Sequence, residues 1–146
     1  MKRFTFRLQR ILELREAKEK AALADLGREQ QKLNQEHVKL NLFRGEETSQ
    51  IVEMRSSREQ PFQVWMQSVN SQYLHRLGRV IEFQTQRVFA QSQNVEHTRV
   101  TYFDKRKDTR VLEQLREKKH EEWTADTLRE EGNILDEVGS RPKCEM

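Results

Sequence analysis

The sequence predicts an all-α protein: two long helices forming an antiparallel coiled-coil hairpin, with a short amphipathic helical segment near the turn. Three observations lead there. First, Leu12, Glu19, Leu26, Leu33, Leu40, Glu47 and Met54 recur every seven residues, with Leu8, Ala22 and Phe43 at intervening positions. An apolar stripe with a period of about 3.5 residues, sustained this long, must keep facing a partner helix and so coils around one. Second, the period is lost across Arg55–Pro61, and a new stripe follows. Third, the chain ends carry opposite charge. Lys2, Arg3, Arg7, Arg10, Arg15, Lys18 and Lys20 outnumber three glutamates near the start, whereas Glu121, Glu122, Asp126, Glu130, Glu131, Asp136 and Glu137 face one Arg129 near the end. An antiparallel hairpin sets such ends side by side; a parallel dimer stacks like on like.

The first helix is expected over about 4–54. Alanines and straight-chain residues (Glu16, Ala17, Lys18, Lys20, Ala21, Ala22, Gln30, Gln31) favour it, and Glu16 with Lys20 adds an i,i+4 pair. Gly27 and Gly45 weaken it, each by roughly 1 kcal/mol against alanine. The turn is expected over about 55–61, ending at the internal proline, Pro61. An amphipathic segment from about 62 (Phe62, Trp65, Met66, Val69, Tyr73, Leu74, Leu77, Val80, Ile81) starts with that proline in its first turn. It merges into a long helix running to about 138. The second seam reads Leu74, Leu77, Ile81, Gln84, Val88, Gln91, Val95, Thr98, Tyr102, Lys105, Thr109 and Leu112, spaced three and four alternately and about half polar. Polar seam positions fix register and partner at some cost in stability. Gly139 and Pro142 close the helix, so residues 1–139 read as one coiled-coil domain and 140–146 as a flexible tail.

Composition narrows the function classes. With 35% charged residues, 34% hydrophobic residues and a mean hydropathy of -1.00, the chain is poor in material for a globular core but sufficient for the narrow stripe of a two-helix assembly. A net charge of +3 arises from 27 basic and 24 acidic residues, which reads as a mixed, solvated surface and not a nucleic-acid stripe. Lys105, Arg106, Lys107, Arg110, Arg116, Lys118 and Lys119 are interspersed with Asp104, Asp108, Glu113 and Glu117, and no stacking platform accompanies them. The longest uninterrupted apolar run, Ala21–Ala24, falls far short of the roughly 20 residues of a membrane span. The basic start lacks the apolar region of a signal peptide, and acids follow too early for a mitochondrial presequence. Cys144 is the single cysteine, which excludes an intrachain disulfide and fits a reducing cytoplasm.

No catalytic constellation is present: there is no Gly-rich phosphate loop, no nucleophile set beside a histidine, and no pocket expected of a two-helix rod. His37, His75, His97 and His120 are too widely spaced for a metal-ligand pair on one helix. His120-Glu121-Glu122 lacks the second histidine of a zinc-protease motif. No enzyme, cofactor or metal is expected. The aromatic excess Phe43, Phe62, Trp65, Tyr73 and Phe83 near the turn is expected mainly to close the hairpin tip as a small core, with some members left as an anchor patch for a partner.

The opening Phe4-x-Phe6-Arg7-Leu8-Gln9-x-Ile11-Leu12-x-Leu14-Arg15, the midchain Gln72-Tyr73-x3-Leu77-x2-Val80-Ile81, and the late Leu135-Asp136-Glu137 together resemble the FliJ family of bacterial flagellar export proteins. The resemblance covers nearly the whole chain and rests on the order and spacing of motifs that are individually weak. It implies a non-enzymatic stalk of the flagellar type III export apparatus, cytoplasmic and peripheral at the inner face of the cell membrane. Such a protein is an antiparallel two-helix coiled coil, monomeric when free, similar to the rotor stalk of the F-type ATP synthase. It inserts into the export ATPase hexamer and promotes its assembly, links it to the export gate protein FlhA, and escorts empty export chaperones. On this resemblance Leu8, Ile11, Leu12, Arg15 and Lys18 meet the ATPase, and Phe43, Tyr73, Leu77 and Val80 meet the gate. Glu46 and Gln50 stand where aromatic contacts belong in the pattern. Alternatives are the equivalent stalk of a virulence type III secretion system, a generic coiled-coil scaffold or parallel dimer, and a nucleic-acid binder.

Overall fold

In the computed structural model, residues 3–59, 61 and 63–140 are described. Their regular structure consists of two helices, α1 (Gln9–Ser57) and α2 (Val64–Gly139), with no strand among the described residues. The helices pack against each other as a hairpin. Two compact units divide it: one combines Met1–Ala21 with Phe103–Met146, and the other is Ala22–Tyr102.

The helix limits differ from expectation at three points. Residues 3–6 are not helical, and α1 begins only after the backbone N–H of Gln9 has bonded the carbonyl of Phe6 at 3.1 Å. The first turn of α1 contains no acid, and Arg3, Arg7 and Arg10 are misplaced beside the positive end of a helix dipole. At its other end α1 runs on to Ser57, past Met54, helped by Arg55 in the last turn. The Ser57 hydroxyl donates to the Met54 carbonyl at 3.0 Å, and N–H groups of Arg58 and Glu59 reach back three residues. Pro61 lies in the connection and not in the first turn of α2, which starts at Val64 as one continuous helix. Without an N–H and with fixed φ, proline suits this link. Of the expected tail only Ser140 falls within the described residues, and Phe62 lies outside them.

In the unit Ala22–Tyr102, the seam residues of both helices are turned inward. Ala22, Leu40, Met54, Leu77 and Gln84 are buried, and Leu26, Leu33, Phe43, Glu47, Leu74, Ile81, Val88, Gln91, Val95, Thr98 and Tyr102 are half-buried. Positions missing from the apolar repeat of α1, namely Glu29, Glu36 and Gln50, are half-buried as well and complete its three-four spacing. Two of them meet the glutamines of α2. The Gln84 amide donates to the Glu36 carbonyl at 3.0 Å and to its carboxylate at 2.6 Å. One heptad along on each helix, the Gln91 amide donates to the Glu29 carbonyl at 3.2 Å and its carboxylate at 2.6 Å. Each amide therefore grips both the backbone and the side chain of one glutamate.

The free oxygen of each carboxylate is taken by a lysine three residues on, Lys39 at 2.8 Å and Lys32 at 2.7 Å. Arg87 adds a contact to Glu36 at 3.5 Å. The lysine and glutamine hydrogen bonds hold both carboxyls below the ordinary carboxylate value, against the opposing effect of desolvation. These pairs fix the antiparallel register: Leu33 stands level with Val88, Leu40 with Ile81, and Phe43 with Leu77.

In the other unit, Leu12 and Thr109 form the tightest point, each only 1% exposed. The Thr109 hydroxyl is satisfied within its own helix by the Lys105 carbonyl at 3.1 Å, so its methyl can face the seam at no hydrogen-bonding cost. Arg15 pairs with Asp108, and Arg106 with Glu19 at 3.2 Å, both across the helices. Among the described residues, these are the cross-helix ion pairs of this unit. These cross-helix pairs engage residues before 109, while the acids from Glu121 onward lie farther along α2.

Candidate interaction surfaces

The segment before α1 is held to α2 by an aromatic cluster. The Phe4 ring meets His120 edge-on, with centroids 5.0 Å apart at 83°, and lies 5.9 Å from Trp123; His120 and Trp123 are 5.8 Å apart. Edge-to-face packing brings the positive rim of one ring to the negative face of another. Beside it opens a cleft of about 590 Å³ lined by Arg3, Phe4, Thr5, Phe6, Arg7, Leu8, Leu115, Lys119 and Trp123. Its lining joins apolar side chains (Phe4, Phe6, Leu8, Leu115 and Trp123) to three cations, Arg3, Arg7 and Lys119.

Of the residues implicated at this end, Leu12 is sealed in the seam and Leu8 half-buried, whereas Ile11 and Lys18 are exposed. Arg15 is half-buried and engaged with Asp108. Leu14, next to this group, is a further exposed apolar side chain. Ile11, Leu14 and Lys18 follow i, i+3 and i+7 and so share one outward face of α1. Sequence spacing could have found Leu14, because it is apolar and off the seam.

Among the described residues of the unit Ala22–Tyr102, the aromatic side chains near the turn do not close into a core. Phe43 is half-buried, but Trp65, Tyr73 and Phe83 are exposed. The reason is their phase: none falls on the seam Leu74, Leu77, Ile81, Gln84. Instead Met66, Val69, Tyr73, Val80 and Phe83, all exposed, follow a second three-four spacing along α2, interrupted by Arg76. Leu77 is 6% exposed and belongs to the inner seam, so Tyr73 and Val80 are the gate-assigned residues that face outward. The Tyr73 hydroxyl donates across to the Glu46 carboxylate, which keeps the phenol proton in place and raises its pKa. Glu46, which departs from an aromatic pattern, thereby anchors the aromatic residue opposite it.

Among the described residues no group of three or more His, Cys, Asp or Glu could hold a metal, and no helix is long and apolar enough to cross a membrane. Both surfaces present exposed apolar side chains at helical spacing, with charged residues nearby. One family model, described as flagellar FliJ protein, matches residues 4–142. No curated protein and no solved structure matches the chain.

Proposed function

The chain belongs to the flagellar FliJ protein family, a family of export-related stalk proteins, and from that premise we propose that it is a non-enzymatic stalk and adaptor of the flagellar type III export apparatus. It inserts into the export ATPase hexamer, promotes its assembly and activity, links it to the gate protein FlhA and escorts empty export chaperones. It acts in the cytoplasm, peripheral to the inner face of the cell membrane. The observation that carries this reading is the family match over nearly the whole chain, joined to a two-helix hairpin.

The ATPase surface comprises Leu8, Ile11, Leu12, Arg15 and Lys18, with Ile11 and Lys18 as the accessible members and Leu12 supporting them from inside the seam. The gate surface comprises Phe43, Tyr73, Leu77 and Val80, where Tyr73 and Val80 make contact and Leu77 holds α2 in place behind them. A hairpin with different side chains around its circumference presents each subunit of a ring with a different surface. Differential affinity for the subunits' conformations is what allows such a stalk to bias their nucleotide states.

Mixing the purified chain with the export ATPase at equal molar amounts tests the reading. The expected result is higher ATP hydrolysis together with a larger hexamer fraction in analytical ultracentrifugation. Unchanged hydrolysis and unchanged assembly, with no complex formed, would contradict it.

A further inference from the structure

The cleft of about 590 Å³ beside Phe4 joins apolar walls to cations drawn from two segments of the chain. Phe6, Leu8 and Trp123 line it and are half-buried. Arg3 and Arg7 enter from the segment before α1, Lys119 enters from α2, and among the described residues no carboxylate lines it. Lys119 is already matched to Glu122 at 2.6 Å. Arg3 and Arg7, by contrast, are exposed and have no ion-pair partner among the described residues. Arg7 also lies just before the positive end of the α1 dipole, and the first turn of α1 contains no acid to offset it. Positive charge gathered without compensation opposes folding, and such local conflicts are retained where a chain binds something.

We infer that this cleft is a docking site for a short acidic segment of a partner protein that carries a large apolar side chain between its carboxylates. The apolar side chain covers Phe6, Leu8 and Trp123 and supplies the affinity. The carboxylates meet Arg3 and Arg7, whose planar guanidinium groups can each donate two parallel hydrogen bonds to one carboxylate. Exposed ion pairs add little energy by themselves, but they select the sign of the occupant. An extended anionic surface such as a membrane fits worse, because Glu117, Glu121 and Glu122 neighbour Lys119 and Trp123 on α2 and would be pressed against it. A short segment reaches the cleft alone. Leu8 also belongs to the surface proposed to meet the ATPase, and a titration that contains no ATPase leaves that reading untouched if it fails.

The test uses the full chain carrying W65F, which leaves Trp123 as the one tryptophan, so that its emission reads occupancy of this cleft. A synthetic peptide of about eight residues, with Phe-Leu flanked on both sides by Glu and Asp, should change that emission saturably, with affinity falling as salt rises. Twins with Gln and Asn in place of the acids, or with Ser in place of Phe-Leu, should bind at least roughly tenfold more weakly. R3E/R7E should weaken the acidic peptide by at least roughly tenfold, whereas R76E/R79E, the same change of charge within Ala22–Tyr102, should bind it like the parent. Arg3 and Arg7 lie outside both helices, so circular dichroism should be unchanged in R3E/R7E. Absence of binding by the acidic peptide, equal binding of its neutral twin, or no loss in R3E/R7E overturns the inference. Saturation by dodecanoate or by phosphatidylglycerol vesicles at lower concentration than by the peptide also overturns it, since the occupant is then a lipid. So does a doubling of mass that R3E/R7E abolishes, since the occupant is then a second copy.

Discussion

Gln84 shows how one polar residue can determine the pairing of two helices. Its amide places both donors on Glu36, and Gln91 repeats the arrangement on Glu29. A slip by one heptad would keep one such pair and strand the other glutamine, whereas a shift by any other amount would strand both. Replacing both glutamines by leucine removes these donors and leaves the Glu29 and Glu36 carboxylates facing apolar side chains, so it should lower stability by on the order of 1–2 kcal/mol while broadening spin-label distances between the helices. Gln84→Ala, which leaves a void and removes the donor, should lower stability by about 1–2 kcal/mol in urea titration. The same pairs set a pH response. Glu29 and Glu36 have lowered pKa values in the fold, relative to an ordinary 4.5, so on acidification the unfolded chain takes up protons first. Their contribution is complete above the ordinary carboxylate range and is lost as pH falls through the lowered folded values. Thermal unfolding followed from pH 7 down to pH 3 should show a flat midpoint and then a decline below about 4.5 that is smaller in E29Q/E36Q.

At the scale of the helix, α1 carries a removable weakness. A Cβ added at Gly27 or Gly45 meets nothing within 4 Å, and neither glycine has positive φ. Gly27→Ala and Gly45→Ala should each stabilise the chain by roughly 0.5–1 kcal/mol in denaturant titration, through helix propensity alone. Much of both helices was legible in the residues. The second seam, from Leu74 to Leu112, is buried or half-buried at every expected position, because three-four spacing and backbone geometry are the same constraint. The start of α1 was not legible in this way: Phe4 and Phe6 continue the apolar pattern, but the surrounding arginines oppose a helix start, and Phe4 packs on His120 and Trp123. Of the described aromatic residues near the turn, Phe43 is half-buried, whereas Trp65, Tyr73 and Phe83 fit the exposed patch and not the closing core. Composition drew attention to Trp65, Tyr73 and Phe83, while their phase on α2, which is also in the sequence, turns them outward. The glutamine clips were half-visible: their polarity implied register control, but the choice of Glu29 and Glu36 as partners depends on the alignment of distant segments.

For the molecule as a whole, the proposed stalk function requires that two sets of outward residues serve two different partners. Ile11 and Lys18 lie in the unit containing the chain termini, and Val80 and Phe83 lie in Ala22–Tyr102. All four are outside the seam, so substituting them should leave helix content and unfolding midpoint within about 0.5 kcal/mol of the parent. The most direct measurement is the affinity of the export ATPase and of the gate protein for two such variants, I11D/K18E and V80D/F83D, in parallel titrations. I11D/K18E should lose ATPase binding by roughly tenfold or more and keep the gate, and V80D/F83D should do the reverse. Loss of both partners in either variant, or of neither in both, would contradict it.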